Sequence, residues 1–375
     1  MSAPRSPGLG AWDIGRAPFL FIWEMTRACA LACVHCRAEA VRRRDPRELT
    51  TAEAKRMLDA VRRFGTPLVV FTGGDPVRRP DLVELVRYGT ELGLRVTLTP
   101  SGTPRTSRQK LAELQAAGLA RLAVSLDGAS PAVHDAFRRV RGSFGWSLDI
   151  LRHARELGLP RQVNTTVTRQ TVGELPAFVP LLTELEVVLW AVFFVVPTGR
   201  AVPEQSLTAD EVERVLEWLA ELAERALFDV KTTAAPHFRR VVLQRRKRLA
   251  AAPPPVAQAG FRLADDGIGR SAAGITDGCG MLFVSHTGEI MPSGFLPLAV
   301  GNVREDDLVA VYREHPLFTA LRDPDRLEGK CGYCEFRAVC GGSRARAWAL
   351  TEDPFAEDPL CAYVPHRRLR PVIAS

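Results

Sequence analysis

Residues 19–37 read Phe19-Leu-Phe-Ile-Trp-Glu-Met-Thr-Arg-Ala-Cys-Ala-Leu-Ala-Cys-Val-His-Cys-Arg37. The first five form a short apolar run, the pattern of a buried strand. Soon after it stand Cys29, Cys33 and Cys36, spaced C-x3-C-x2-C, with no fourth cysteine near them. Closely spaced thiolates are the usual protein ligands of iron–sulfur clusters, which ordinarily take four. Three sulfurs on a four-iron cluster leave one iron open, and an open coordination position is where a metal site does chemistry. A set of reduced thiols or an incomplete zinc site would give the same spacing, so the surroundings decide.

Working outward, strand-length apolar or β-branched runs recur at 67–71, 94–98, 121–126, 162–167 and 189–195. Segments of helical periodicity lie between them at 51–64, 81–92, 107–117, 147–157 and, interrupted by prolines, 172–185. Repeated strand–helix alternation calls for an α/β fold, a parallel sheet with helices outside. In such sheets sites gather at the carboxyl ends of strands. The three-cysteine loop falls at the first such end, and Thr72-Gly-Gly-Asp-Pro76 at the second. Paired glycines let backbone approach a partner closely, and a carboxylate can pair with an ammonium group.

Cysteine spacing and strand order together resemble the radical S-adenosylmethionine (SAM) enzymes. The resemblance implies an incomplete TIM-like barrel, (β/α)6, and a [4Fe–4S] cluster on Cys29, Cys33 and Cys36 whose open iron takes the methionine end of SAM. It also implies one-electron reduction by a donor such as flavodoxin or ferredoxin. Breakage of the SAM carbon–sulfur bond then gives a 5′-deoxyadenosyl radical that abstracts hydrogen from a substrate. Gly73, Gly74 and Asp75 would hold the SAM amino group, Asp75 standing where the family has Glu. Ser125 is the foremost candidate for the ribose or carboxylate, with Asp127 and Ser101 behind it. Asn164 and Thr166 share a strand face that would reach cofactor or substrate if it points inward. His35 would lie against the adenine through its backbone. Plain turn and strand-end capping are the competing readings of these short polar groups. Arg138 and Arg139 are possible carboxylate holders.

Farther along, Cys331-x2-Cys334-x5-Cys340 and then Cys361 form a second pattern. Four thiolates with a C-x2-C knuckle are also a zinc pattern. Beside the first motif they resemble the SPASM/twitch extensions of radical SAM enzymes, which implies one auxiliary [4Fe–4S] cluster on these four residues. A second auxiliary cluster is not expected. Ser293 and Arg344 stand where its ligands would fall, leaving Cys279 as a buried thiol or a substrate-side acid. The expected organisation is a tail at 1–18, a radical SAM core at 19–205, a helix and linker at 206–270, and a small cysteine-rich domain at 271–375. Within it, Thr208-Ala-Asp-Glu211 caps a long helix, residues 228–233 offer one more strand, Ala251–Pro255 cannot be regular structure, and Met281–Ile290 reads as a hairpin.

The chain has 375 residues, 46% hydrophobic and 25% charged, with net charge +7. Only five of its 50 basic residues are lysine, a skew that says little about function. Basic runs at 42–44, 245–248 and 367–370 raise the question of nucleic acid. Aromatics do not interleave with them as stacking surfaces require, which argues against that partner. Neither a signal segment nor a run able to span a bilayer is evident. Eight cysteines in such a chain favour metal ligation over disulfides and a cytoplasmic setting. The stretch from Trp23 to Ala38 looks most like the haem and haem d1 biosynthesis branch, implying a tetrapyrrole substrate; related extensions also act on ribosomally made peptides. Phe193–Arg200, Pro236-His237 and Ser293–Pro297 are candidate cavity walls, with His237 read first as a surface or packing histidine and second as a candidate proton donor. An iron–sulfur electron carrier and a zinc-stabilised binding protein are the non-catalytic alternatives.

Overall fold

Nine strands form one sheet in the order β7-β6-β5-β4-β3-β2-β1-β8-β9 in the computed structural model, which describes residues 13–249 and 275–366. The expected linker at Ala251–Pro255 and the basic run at 367–370 lie outside the described residues. The first six strands are Leu20–Glu24 (β1), Leu68–Thr72 (β2), Arg95–Leu98 (β3), Arg121–Ser125 (β4), Arg161–Val167 (β5) and Leu189–Phe194 (β6). Each pairs in parallel with its sequence neighbour. The helices that return the chain are Thr51–Arg62 (α1), Leu82–Glu91 (α2), Arg108–Ala116 (α3), Pro131–Arg138 (α4), Ser143–Glu156 (α5) and Leu175–Glu184 (α6). The fold is therefore an α/β, TIM-like partial barrel.

Local chemistry explains the elements. Thr50 and Glu53 close a capping box on α1, and Thr208 with Glu211 does the same for α7 (Ala209–Arg225). Each satisfies backbone N–H groups that a helix start otherwise leaves unpaired. In β5 burial alternates residue by residue. Arg161, Val163, Thr165 and Val167 are buried on one face, and Gln162, Asn164 and Thr166 line the barrel interior on the other. Phe21, Phe71, Trp23, Trp190 and Phe178 are fully buried in the main core. Truncating any one of them would cost about 3–5 kcal/mol.

The sheet runs past six strands in both directions. Asp229–Thr233 (β7) pairs in parallel with β6 and leads into α8 (His237–Leu249). Met281–Val284 (β8) pairs in parallel with the free edge of β1, Leu20 opposite Met281, and turns back antiparallel as Ile290–Met291 (β9). The expected hairpin thus forms and also covers an edge strand, which removes an exposed row of backbone donors and acceptors. Short helices complete the chain: Leu308–Glu314 (α9), Pro316–Leu321 (α10), Gly329–Tyr333 (α11) and Arg344–Thr351 (α12). Among the described residues no helix is long and apolar enough to cross a membrane.

Candidate functional site

After β1 the chain forms a loop closed at its base. Cys29 N donates to Val41 O at 2.7 Å and Val41 N donates to Arg27 O at 3.0 Å. Cys29, Leu31 and Cys33 pack in one small cluster, with Cys36, Ala40 and Val140 against it. Each cysteine sulfur accepts from a nearby donor: Leu31 N to Cys29 Sγ (3.3 Å), Arg138 Nη1 to Cys33 Sγ (3.6 Å) and Ala40 N to Cys36 Sγ (3.4 Å). Burial pushes the Cys29 and Cys33 thiols up, while Arg138 opposes the rise at Cys33. Donors aimed at sulfur are what a bound thiolate uses to spread its charge.

The Gly-Gly-Asp turn braces this loop. Gly74 N donates to Thr26 O at 2.7 Å and Asp75 N to Ala28 O at 2.8 Å. A Cβ on Gly73 would stand 2.3 Å from Thr26 O, and one on Gly74 would stand 2.6 Å from Arg27 O. The glycines are therefore required by the cysteine loop's own backbone.

A cavity of about 430 Å³ opens beside the loop, within the size range of small-molecule sites. Cys29, Cys33, Cys36, Gly73, Gly74, Ser101, Ser125, Asn164 and Thr166 all line it, as does His35. His35 stacks on Phe137 at 4.3 Å, and burial holds its imidazole down to about 4, so it is neutral at pH 7.

Asp75 and Asp127 are not among the lining side chains, and both are fully buried. Asp75 accepts from Thr103 Oγ1 (3.0 Å) and Ser101 N (3.4 Å), so it fixes the loop that presents Ser101. Asp127 accepts from Thr166 N (2.8 Å) and pairs with Arg138 Nη2 (2.5 Å). Burial alone would raise its carboxyl; the Arg138 charge wins and holds it below the usual range. Arg138 thus joins Cys33 to the end of β4, a role the sequence did not disclose. Arg139 takes the left-handed C-cap of α4 instead. His237 does not line the cavity; it is buried against Asp358 at 3.6 Å, with its imidazole held down to about 4 by burial. This is the place of a packing histidine and not of a proton donor to the cavity. Phe193, Arg200, Pro236, Ser293, Gly294 and Phe295 do line the cavity.

The second cysteine group also comes together. Cys331, Cys334, Cys340 and Cys361 line one small hollow with Arg240, Lys330 and Tyr363. Among the described residues no three His, Cys, Asp or Glu side chains close on a single ion. Burial pushes Cys340 up to about 12 and Cys361 up to about 11, the latter eased by Arg240 and Lys330. Arg344 places Nη2 3.9 Å from Cys331 Sγ and donates to Pro354 O and Ala356 O. Ser293 Oγ donates to Asp277. Cys279 lines neither space.

Residues 23–179 match the Radical SAM superfamily. The AdoMet-dependent heme synthase of Oleidesulfovibrio alaskensis is 40% identical over 353 residues, covering 93% of this chain and 88% of that protein. The pre-heme d1 synthase of Dinoroseobacter shibae is 30% identical, covering 91% and 85%. Among solved structures, Streptococcus suis SuiB bound to precursor peptide SuiA superposes with a TM-score of 0.70 at 18% identity, covering 93% of this chain and 76% of that one.

Proposed function

Because this chain belongs to the radical SAM superfamily, whose enzymes use a [4Fe–4S] cluster and SAM, we propose that it acts on a tetrapyrrole with Cys29, Cys33 and Cys36 as the cluster ligands. One observation carries the reading: three sulfurs, each met by an N–H donor, lie together on the wall of a cavity with polar strand ends. When bound and reduced, the cluster and SAM supply a carbon radical strong enough to take hydrogen from an unactivated carbon.

The protein's own part is positioning. Gly73 and Gly74 present bare backbone to the SAM amino group, and Asp75 acts behind them by fixing the Ser101 loop. Ser101, Ser125 and Asn164 offer hydroxyl and amide groups to the ribose and carboxylate. Asp127 acts through Arg138 and the Thr166 backbone. His35 lies against the adenine through its backbone, its neutral ring held on Phe137. The apolar walls of the cavity, among them Leu68, Val70, Phe193 and Phe283, would limit the water beside the bound group.

Cys331, Cys334, Cys340 and Cys361 hold one auxiliary [4Fe–4S] cluster. Support comes from their shared hollow and from the neighbouring Arg240 and Lys330, which favour thiolate. Ser293 and Arg344 are committed elsewhere, which supports one such cluster over two. Residues 19–205 form the core unit and 271–375 the auxiliary unit, with 206–270 between. A flavodoxin or ferredoxin is the electron donor, and the eight free thiols suit the reducing cytoplasm.

The tetrapyrrole assignment follows the relatives that match across nearly the whole chain. Its test is anaerobic incubation of the reduced, reconstituted enzyme with SAM and an iron porphyrin bearing propionates. The expected result is 5′-deoxyadenosine together with a porphyrin of changed mass. Formation of 5′-deoxyadenosine with the porphyrin untouched would overturn the substrate assignment.

A further inference from the structure

The charges lining the cavity are one-sided. Arg37, Arg121, Arg138, Arg200, Lys231 and Arg239 line it, against a single carboxylate, Asp277. Both Asp277 oxygens are used, one by Ser293 Oγ and the other by Ala345 N at 3.0 Å. Arg37 is committed to Glu24 at 2.7 Å and Arg138 to Asp127. Among the described residues, no ion pair engages Lys231 or Arg239.

These two cations are well placed for a ligand. Lys231 sits on β7 in a hydrogen-bonded row running Ser125, Asn164, Ala191, Lys231 across four strands. It therefore lies level with the polar strand residues assigned to SAM. Arg239, on α8, donates to Val339 O (3.4 Å) and Ile275 O (3.2 Å). Val339 directly precedes Cys340, so this guanidinium is fixed on the wall that carries the second cysteine group. Arg121 enters from β4 and donates to Gln162 Oε1 at 3.3 Å. Burial, then repulsion from Arg121 and Arg239, holds the Lys231 amine down to about 8. Like charges crowded against a low-dielectric wall are costly alone and favourable around an anion. A guanidinium and an ammonium facing one cavity make a good carboxylate receptor.

We infer that Lys231 and Arg239, with Arg121 beside them, form an anion subsite that holds a carboxylate of the substrate on the β7–α8 wall of the cavity. The inference deepens the tetrapyrrole reading and rests on it for the identity of the acid, whereas the subsite itself rests on the charges.

The test is anaerobic equilibrium dialysis of the cluster-loaded enzyme with an iron porphyrin carrying four propionates, with its tetramethyl ester, and with a glutamate-rich peptide. Wild type binds the porphyrin acid more tightly than the ester. Lys231→Met and Arg239→Gln each weaken binding of the acid about 10-fold or more without weakening the ester, and Lys231→Arg recovers most of the loss. Equal binding of the acid by wild type and by a Lys231→Met protein with full iron content and unchanged circular dichroism overturns the subsite. Preference for the acidic peptide, lost in Lys231→Met, keeps the subsite and moves the substrate to the peptide class. Failure of wild type to bind any of the acids overturns the subsite directly.

Discussion

Arg138 reaches from the last turn of α4 to within 3.6 Å of Cys33 Sγ. Its other terminal nitrogen holds Asp127 at 2.5 Å, so a positive charge is fixed against one cluster-ligand sulfur. A reduced cluster carries one more negative charge than an oxidised one, and a cation or hydrogen bond at sulfur stabilises that form. Arg138→Met should lower the reduction potential of the N-terminal cluster by about 60 mV, tenfold in a one-electron equilibrium. Arg138→Lys should fall between. An EPR-monitored redox titration at equal iron content checks this; an unchanged potential would reduce Arg138 to a packing role.

The glycine pair gives a steric prediction. Gly74→Ala would set a methyl 2.6 Å from Arg27 O and 2.7 Å from Ala28 O, both rigid backbone. The cysteine loop must shift, at about 2–4 kcal/mol. Reconstitution should then load the auxiliary site and leave the N-terminal site largely empty, read as a loss of about half the iron.

These two residues also illustrate what a sequence conveys. The strands of the barrel were readable because apolar and β-branched runs recur between helical periods, and Asn164 and Thr166 share an inward face as their spacing implies. The cysteine groups were readable because their spacing is itself the chemistry. Helix α4 and the reach of Arg138 were not, since an arginine eleven residues past Asp127 gives no local sign of its partner. Nor was the pairing of β8 with β1, which joins Leu20 to Met281 through the fold alone. Asp75 and Asp127 follow strand ends, but sequence cannot tell whether such a carboxylate turns to the cavity, as a SAM contact requires, or, as here, to the loop beside it.

Glu24, at the end of β1, makes a pH prediction. Its carboxylate is buried, which would raise it, yet Arg37, His286 and Arg27 hold it down to about 2 from the ordinary 4.5. A depressed carboxyl adds stability in full above the unfolded value and loses it as pH falls toward the folded value. Glu24→Gln should therefore destabilise by about 3 kcal/mol at pH 7. The gap from wild type should narrow between pH 4.5 and 2. Urea midpoints measured at a series of pH values check the trend; a gap independent of pH would mean Glu24 contributes packing and not charge.

The second cysteine group separates iron from zinc. Cys340→Ser should lower iron from about eight to about four atoms per chain while leaving the SAM-linked cluster signal in place. Elemental analysis decides it. One zinc per chain, lost in the variant with iron unchanged, would remove the auxiliary cluster.

The central claim is that three sulfurs leave one iron free to bind SAM. Electron–nuclear double resonance on the reduced enzyme, with SAM labelled with 15N in its amino group and 17O in its carboxylate, tests that claim most directly. The account predicts hyperfine coupling of both labels to the N-terminal cluster in wild type, absent in Cys33→Ala. A four-iron signal in wild type that neither label perturbs would contradict it.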